Sequence, residues 1–264
     1  MRTVAFVTLL LVTSTYAQFM QAIPPKADGT CEVRADKMEN WLKDWPNLER
    51  YRQSDMELAA NLVPGRVVFM GDSITDIWDL AASFPGKPYV NRGISGQTTE
   101  QMLLRFQQDV INLHPAAVVI LAGTNDIAGN TGPISVGEIE NNFSAMGAIA
   151  RANNIPVIVA SITPVHDYTE RSKRFFAERP MEKIRNLNAW LKQYAARNHY
   201  IYVDYFTPML DEHGLLKREL ADDGLHPNAQ GYALMAKMLE AAIEQTLGHS
   251  SRVKPTRPSK PVTE

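Results

Sequence analysis

Apolar residues in this chain fall into short unbroken runs separated by longer stretches of mixed character. The runs are Val67–Met70, Ala117–Leu121, Val157–Ala160 and Ile201–Val203, with a weaker one at Tyr89–Asn91. Those at Val67, Ala117 and Val157 are continuous rather than alternating, as in strands covered on both faces. Between them, Thr98–Leu113, Val136–Asn153 and Met181–Arg197 read as helices, and a last helix is expected from about Asn228 to Leu247. Pro227-Asn228 is a start signal for that helix and Gly248 a stop signal. Strand–helix alternation of this kind predicts an α/β fold, a parallel sheet built from right-handed crossovers.

The pattern is different upstream. Glu32 to Leu62 reads helical, with Met38, Trp41, Leu42 and Trp45 at helical spacing, and Pro46 divides or kinks it. This segment is expected to pack on the outside of the domain and to do no chemistry. At the start, Arg2, the apolar core Val4–Val12 and Thr15-Tyr16-Ala17 match a secretory signal cleaved after Ala17. The apolar run is too short to span a bilayer, so no stable membrane insertion is expected. The expected organisation is a signal at 1–17, a linker and helical segment at 18–62, a domain at 63–248 and a disordered basic, Pro-containing tail at 249–264. A secreted or periplasmic location follows.

Composition adds limits. The 264 residues are 45% hydrophobic and 21% charged, ordinary for a globular protein and enough to bury a core without disulfides or metals. A net charge of −2 gives no electrostatic footprint for nucleic acid. Cys31 is the only cysteine, so no intrachain disulfide can form.

In open parallel sheets, ligands bind outside the carboxyl ends of the strands, near the point where strand order reverses. Four blocks fall there: Gly71-Asp72-Ser73-Ile74, Asn91-Arg92-Gly93, Gly123-Thr124-Asn125-Asp126, and Asp223-Gly224-Leu225-His226-Pro227. Singly, each has a plain explanation as an N-cap, an Asx turn or a tight turn. Together they supply the parts of a nucleophilic hydrolase. Serine is a weak nucleophile until a base takes its proton, and the base works best when a third group fixes its tautomer.

These blocks resemble the motif blocks of the SGNH (GDSL-type) hydrolases from about Val63 to Leu247. The stretch Asn91–Thr99 resembles the branch related to platelet-activating-factor acetylhydrolase catalytic subunits and bacterial carbohydrate acetylesterases. The resemblance implies a flavodoxin-like three-layer α/β/α sandwich with a five-stranded parallel sheet. It also implies Ser73 as nucleophile, His226 as base, Asp223 as its partner, and Ser73, Gly93 and Asn125 as oxyanion-hole donors. Ile74 stands where the family name has leucine.

No cofactor is expected. The histidines at 114, 166, 199, 213, 226 and 249 form no His-x-x-x-His pair, and there is no cysteine cluster, so no metal site is expected. A phosphate-binding protein is disfavoured because there is no Gly-x-x-x-x-Gly-Lys run. The expected function is a secreted serine esterase removing short acyl groups, above all acetyl, from a small-molecule or polysaccharide ester. Two alternatives stand: a lysophospholipase or thioesterase, which needs a longer apolar groove, and a non-catalytic carbohydrate-binding protein. Specificity is expected from the loops Ala128–Ser135 and Thr163–Pro180. The second carries His166, Tyr168, Arg174, Phe175 and Phe176, with His166, Tyr168, Phe175 and Phe176 as candidate substrate contacts and loop packing as the competing role.

Overall fold

A computed structural model describes residues 42–250; the expected signal, most of the linker, Cys31 and the tail from residue 251 lie outside the described residues. The apolar runs form strands β1 (Val67–Gly71), β2 (Tyr89–Gly93), β3 (Ala117–Leu121), β4 (Val157–Ala160) and β5 (Ile201–Val203). All pair in parallel, in the order β2-β1-β3-β4-β5. Val67 is level with Tyr89 and Ala117, and Gly71 with Gly93 and Leu121, so three strands end together. The chain leaves β1 for one side, returns, and continues on the other. The strand order therefore reverses between β1 and β3, which is where a ligand crevice opens in such sheets.

Two cores lie on the two faces. On one, Val68, Met70, Val118 and Ile120 meet Met102, Phe106, Phe143, Met146, Ile184 and Leu191. These come from helices α4 (Thr99–Asp109), α6 (Val136–Ala152) and α8 (Met181–Asn198). On the other face, Val67, Phe69, Val119 and Ile158 meet Trp78, Phe84, Met235, Leu239 and Ile243. These come from the connection after β1, which holds α2 (Ser73–Asp76) and α3 (Leu80–Ser83), and from the final helix, α9 (Ala229–Ser250). Alternate residues of one strand thus feed different cores, which explains the unbroken apolar runs. The chain is a three-layer α/β/α sandwich.

Helix ends follow their capping residues. Thr98 and Gln101 form a capping box for α4, Ser135 and Glu138 one for α6, and Asn228 Oδ1 accepts from the amides of Gln230 and Gly231 at the start of α9. The helix expected to reach Leu113 instead stops at Asp109. Val110 leaves helical geometry (ψ −63° with φ −125°), and a 3-10 turn, Ile111–Leu113, follows. Gly248 does not stop α9, which continues to Ser250. The Thr163–Pro180 connection contains a helix, α7 (Glu170–Glu178), opened by Thr169.

The compact unit begins at Pro46, so residues 46–62 belong with the domain. Their helix, α1 (Arg52–Ala60), buries an aspartate rather than an apolar stripe. Asp55 pairs with Arg92 at 2.7 Å, Tyr51 Oη donates to Gly93 O, and Gln97 Nε2 donates to Pro46 O at 2.7 Å. These contacts prop the loop that follows β2.

That loop has a second support. Arg105, fully buried on α4, donates to Gly71 O (3.0 Å), Arg92 O (2.8 Å) and Gln97 Oε1 (2.6 Å), and pairs with Asp109 at 2.8 Å. Arg105→Met leaves Asp109 buried without its cation and two strand-end carbonyls without a donor. The expected loss is about 3–5 kcal/mol of unfolding free energy, read as a lower urea midpoint at constant m.

Candidate active site

β1 ends at Gly71, and Asp72 caps α2 by accepting from the Ile74 amide at 3.0 Å. Ser73 is thus the first residue of a short helix, where backbone N–H groups have no carbonyl to reach. Tyr232 Oη of α9 donates to Ile74 O at 2.8 Å and holds this turn in place.

His226 and Asp223 come from the segment before α9. Ser73 Oγ lies 2.9 Å from His226 Nε2, and His226 Nδ1 lies 2.8 Å from Asp223 Oδ2. The other Asp223 oxygen accepts from the amides of Leu225 (3.0 Å) and His226 (2.8 Å). An ionised carboxylate only accepts, so Nδ1 carries the ring proton and the Nε2 lone pair faces the serine. Burial alone would push the Asp223 carboxyl up. The hydrogen bonds from the His226 ring and amide and from Leu225 outweigh it and hold Asp223 below the usual carboxylate value. Gly224 makes the tight local turn possible. Its φ is +77°, and a Cβ there would sit 2.3 Å from the His166 carbonyl oxygen.

Asn125 belongs to α5 (Thr124–Ile127), after β3. Its Oδ1 accepts from Arg179 Nη2 at 3.1 Å, and its Nδ2 donates to Gln97 O at 3.1 Å. A guanidinium demands the oxygen and a carbonyl demands the nitrogen, so the amide has one permitted orientation. Its second N–H is left for the cavity. Arg179 also donates to Thr124 Oγ1 (3.1 Å), while Asp126 accepts from the Thr99 amide and hydroxyl and ties α5 to α4.

Gly93 is not placed as an oxyanion donor, which corrects the expectation from sequence. Its amide donates to Asn91 Oδ1 at 2.8 Å, and it does not line the cavity. It is glycine for another reason: a Cβ would lie 2.1 Å from the Asp76 amide nitrogen, so its absence lets α2 pack against β2. The chain then turns at Ile94–Gln97, closed by Gln97 N to Ile94 O at 3.3 Å, and brings Gly96 to the cavity. The Gly96 amide has no hydrogen-bond partner among the described residues, and Asn130 Nδ2 holds its carbonyl at 3.0 Å. Both glycines are visible in Asn-Arg-Gly-Ile-Ser-Gly; only the turn shows which amide is free.

The cavity holds about 510 Å³ and is lined by Ser73, His226, Asp223, Gly96 and Asn125 on the strand-end side. Of the four candidate substrate contacts, it includes Phe175, whose ring stands edge-on to His226 with centroids 6.0 Å apart. The other three lie elsewhere. His166 turns to Asp167 (3.1 Å) and Asp211 (3.6 Å), Tyr168 Oη donates to Ala221 O, and Phe176 packs on the core. The sequence reading missed Arg171, Glu178 and Arg179 as lining residues and did not rank Arg174 among the substrate contacts. The i, i+3, i+4, i+7 spacing of 171, 174, 175 and 178 was the available signal.

A hydroxyl, an imidazole and a carboxylate in one hydrogen-bonded line, at the reversal point of a doubly wound sheet, place the molecule among the three-layer α/β hydrolases. The chain belongs to the GDSL-like Lipase/Acylhydrolase family, whose sequence model matches residues 69–234, and it is an enzyme acting on esters. A GDSL-like lipase from Bacteroides thetaiotaomicron is 40% identical, with a TM-score of 0.68, covering 76% of this chain and 98% of that one. A Bacteroides fragilis structure is 41% identical with a TM-score of 0.71, covering 77% of this chain and 99% of its own. An acetylxylan esterase from Geobacillus stearothermophilus is 26% identical over 203 residues, which are 65% of this chain and 90% of that protein.

The site stores one electrostatic cost. Asp72 is fully buried, and burial pushes its carboxyl up to about 7. Between the ordinary carboxylate value and about 7 the folded state therefore holds a proton that the unfolded chain has released. Stability contributed at this position falls as pH rises through that window. Asp72→Asn retains an oxygen for the Ile74 amide and does not titrate. Its Tm relative to the parent is expected to climb from pH 5 to pH 8; a constant difference across that range rules the account out.

Proposed function

We propose that the chain is a secreted serine esterase that removes short acyl groups, acetyl foremost, from O-acylated carbohydrate through an acyl-enzyme on Ser73. The observation that carries this reading is the relay Ser73 Oγ–His226–Asp223, with successive contacts of 2.9 and 2.8 Å. Ser73 attacks the ester carbonyl while His226 Nε2 takes its proton, and Asp223 stabilises the imidazolium. The tetrahedral oxyanion is met by the Ser73 and Gly96 amides and the Asn125 side-chain amide. His226 then protonates the leaving alcohol, and water repeats the cycle on the acyl-enzyme. Export is supported by the signal-like residues 1–17. The carbohydrate acetyl ester is supported by the acetylxylan esterase relative and by a cavity whose apolar lining is limited to Ile77, Phe175 and Leu225.

Ser73→Ala is expected to abolish hydrolysis of 4-nitrophenyl acetate with an unchanged far-UV spectrum and Tm. Acetate and propionate esters should turn over much faster than octanoate. A groove for the longer acyl chain would contribute roughly 0.8 kcal/mol per buried CH₂ and reverse that order. A kcat/KM that increases steadily to octanoate would replace the acetylesterase reading with the lysophospholipase or thioesterase one.

Asn125→Ala should lower kcat by on the order of 10²–10³-fold with little change in KM, since the donor acts on charge that develops only in the transition state. Arg179→Met frees the same amide to rotate and should lower kcat in the same sense. If the two act through one amide, the double variant is no worse than Asn125→Ala alone. Additive losses would show that Arg179 has a separate role.

A further inference from the structure

One wall of the cavity is cationic. Helix α7 and the residue that follows it present Arg171, Arg174, Phe175, Glu178 and Arg179 to the cavity. Glu178 is the only carboxylate on that wall, and it faces two guanidiniums, Arg174 Nε at 2.7 Å and Arg179 Nη1 at 3.5 Å. Arg179 is buried and committed to Asn125 and Thr124. Arg171 is different: it has no carboxylate partner among the described residues, and its guanidinium carbon lies 5.5 Å from the centre of the Phe175 ring. The rest of the lining offers no charge to balance it, because its remaining carboxylate, Asp223, is turned onto His226. The chain as a whole carries −2, so this excess of positive charge is local to the cavity.

Position says which part of the substrate would meet it. The base that protonates the leaving alcohol is His226, so the alcohol lies beside that ring. Phe175 stands edge-on to His226, and Arg171 lies over Phe175. We propose that Arg171, flanked by Arg174, forms a subsite for an anionic group on the alcohol side of the ester, namely the carboxylate of an acidic sugar. That the ligand is an ester rests on the function proposed above; the anion subsite rests on the cavity wall alone. A guanidinium matches a carboxylate with two parallel donors and stays charged at every working pH. A cationic alcohol such as choline meets repulsion at the same place.

The binding comparison uses the full chain and needs no turnover. Methyl glucuronoside and methyl glucoside, one charged and one neutral, are titrated against the protein and followed by NMR, with glycerol phosphate as a third ligand. The glucuronoside should bind about tenfold tighter than the glucoside, the size of one charge-assisted hydrogen bond. That advantage should shrink on going to about 0.5 M salt. It should fall in Arg171→Gln and vanish in Arg171→Glu. The ratio kcat/KM for the mono-O-acetylated glucuronoside over the glucoside should follow the same order. Equal binding of the two sugars, or an advantage that survives Arg171→Glu, overturns the subsite. A salt- and Arg171-dependent preference for glycerol phosphate alone overturns the acidic-sugar assignment. Failure of the esterase reading appears separately, as no turnover of 4-nitrophenyl acetate, and leaves the binding comparison intact.

Discussion

Arg105 projects from α4 into the seam where β1 and β2 end, and there it satisfies groups that the sheet leaves open. Its donors take up the carbonyls of Gly71 and Arg92 and the side chain of Gln97, while Asp109 balances its charge one turn away. A buried guanidinium is costly unless it is paired and its donors are bonded, so those three points cannot drift apart without exposing that cost. Gly71 precedes the Asp72-Ser73 turn, Arg92 precedes Gly93, and Gln97 receives the Asn125 amide. The spacing of the serine, the turn carrying Gly96 and Asn125 therefore depends on one side chain that contributes no atom to the cavity.

Around this centre, parts distant in sequence brace one another. Arg92 is held by Asp55 of α1, and Tyr51 reaches the Gly93 carbonyl, so the first helix of the unit supports the second loop of the site. Arg179, after α7, fixes the orientation of Asn125. Tyr232 of α9 anchors the turn that carries Ser73. Each brace ends on a backbone carbonyl or on a side chain with a single permitted geometry. Rigidity of that kind suits the proposed oxyanion donors, because donors that must reorganise during the reaction lose much of their effect.

The same packing accounts for the two charge features of the site. Asp72 is raised because it is fully buried where β1 passes into α2. The arginine wall exists because α7 lays one face along the cavity while its other contacts hold it to the domain. One feature is a cost of assembling the serine turn, and the other is the proposed recognition surface on α7.

Much was legible in the sequence. Unbroken apolar runs report strands covered on both faces, and their alternation with helical stretches defined the layers and placed Ser73, Asn125 and His226 at strand ends. Asp223 and His226 could be read as a pair because they lie within a single turn, where spacing and a glycine decide the geometry. The strand-end glycine was misassigned, since the motif alone cannot show that Asn91 occupies the Gly93 amide while the following turn leaves Gly96 free. Helix α7 and its arginines lay inside a stretch read as a loop, and the helical segment around residue 55 gave no sign that it would brace a loop near residue 92. Periodicity records which residues a local element turns inward. Which donor meets which acceptor across 37 or 54 residues of chain is settled only when the layers close, because buried polar groups then have to find one another.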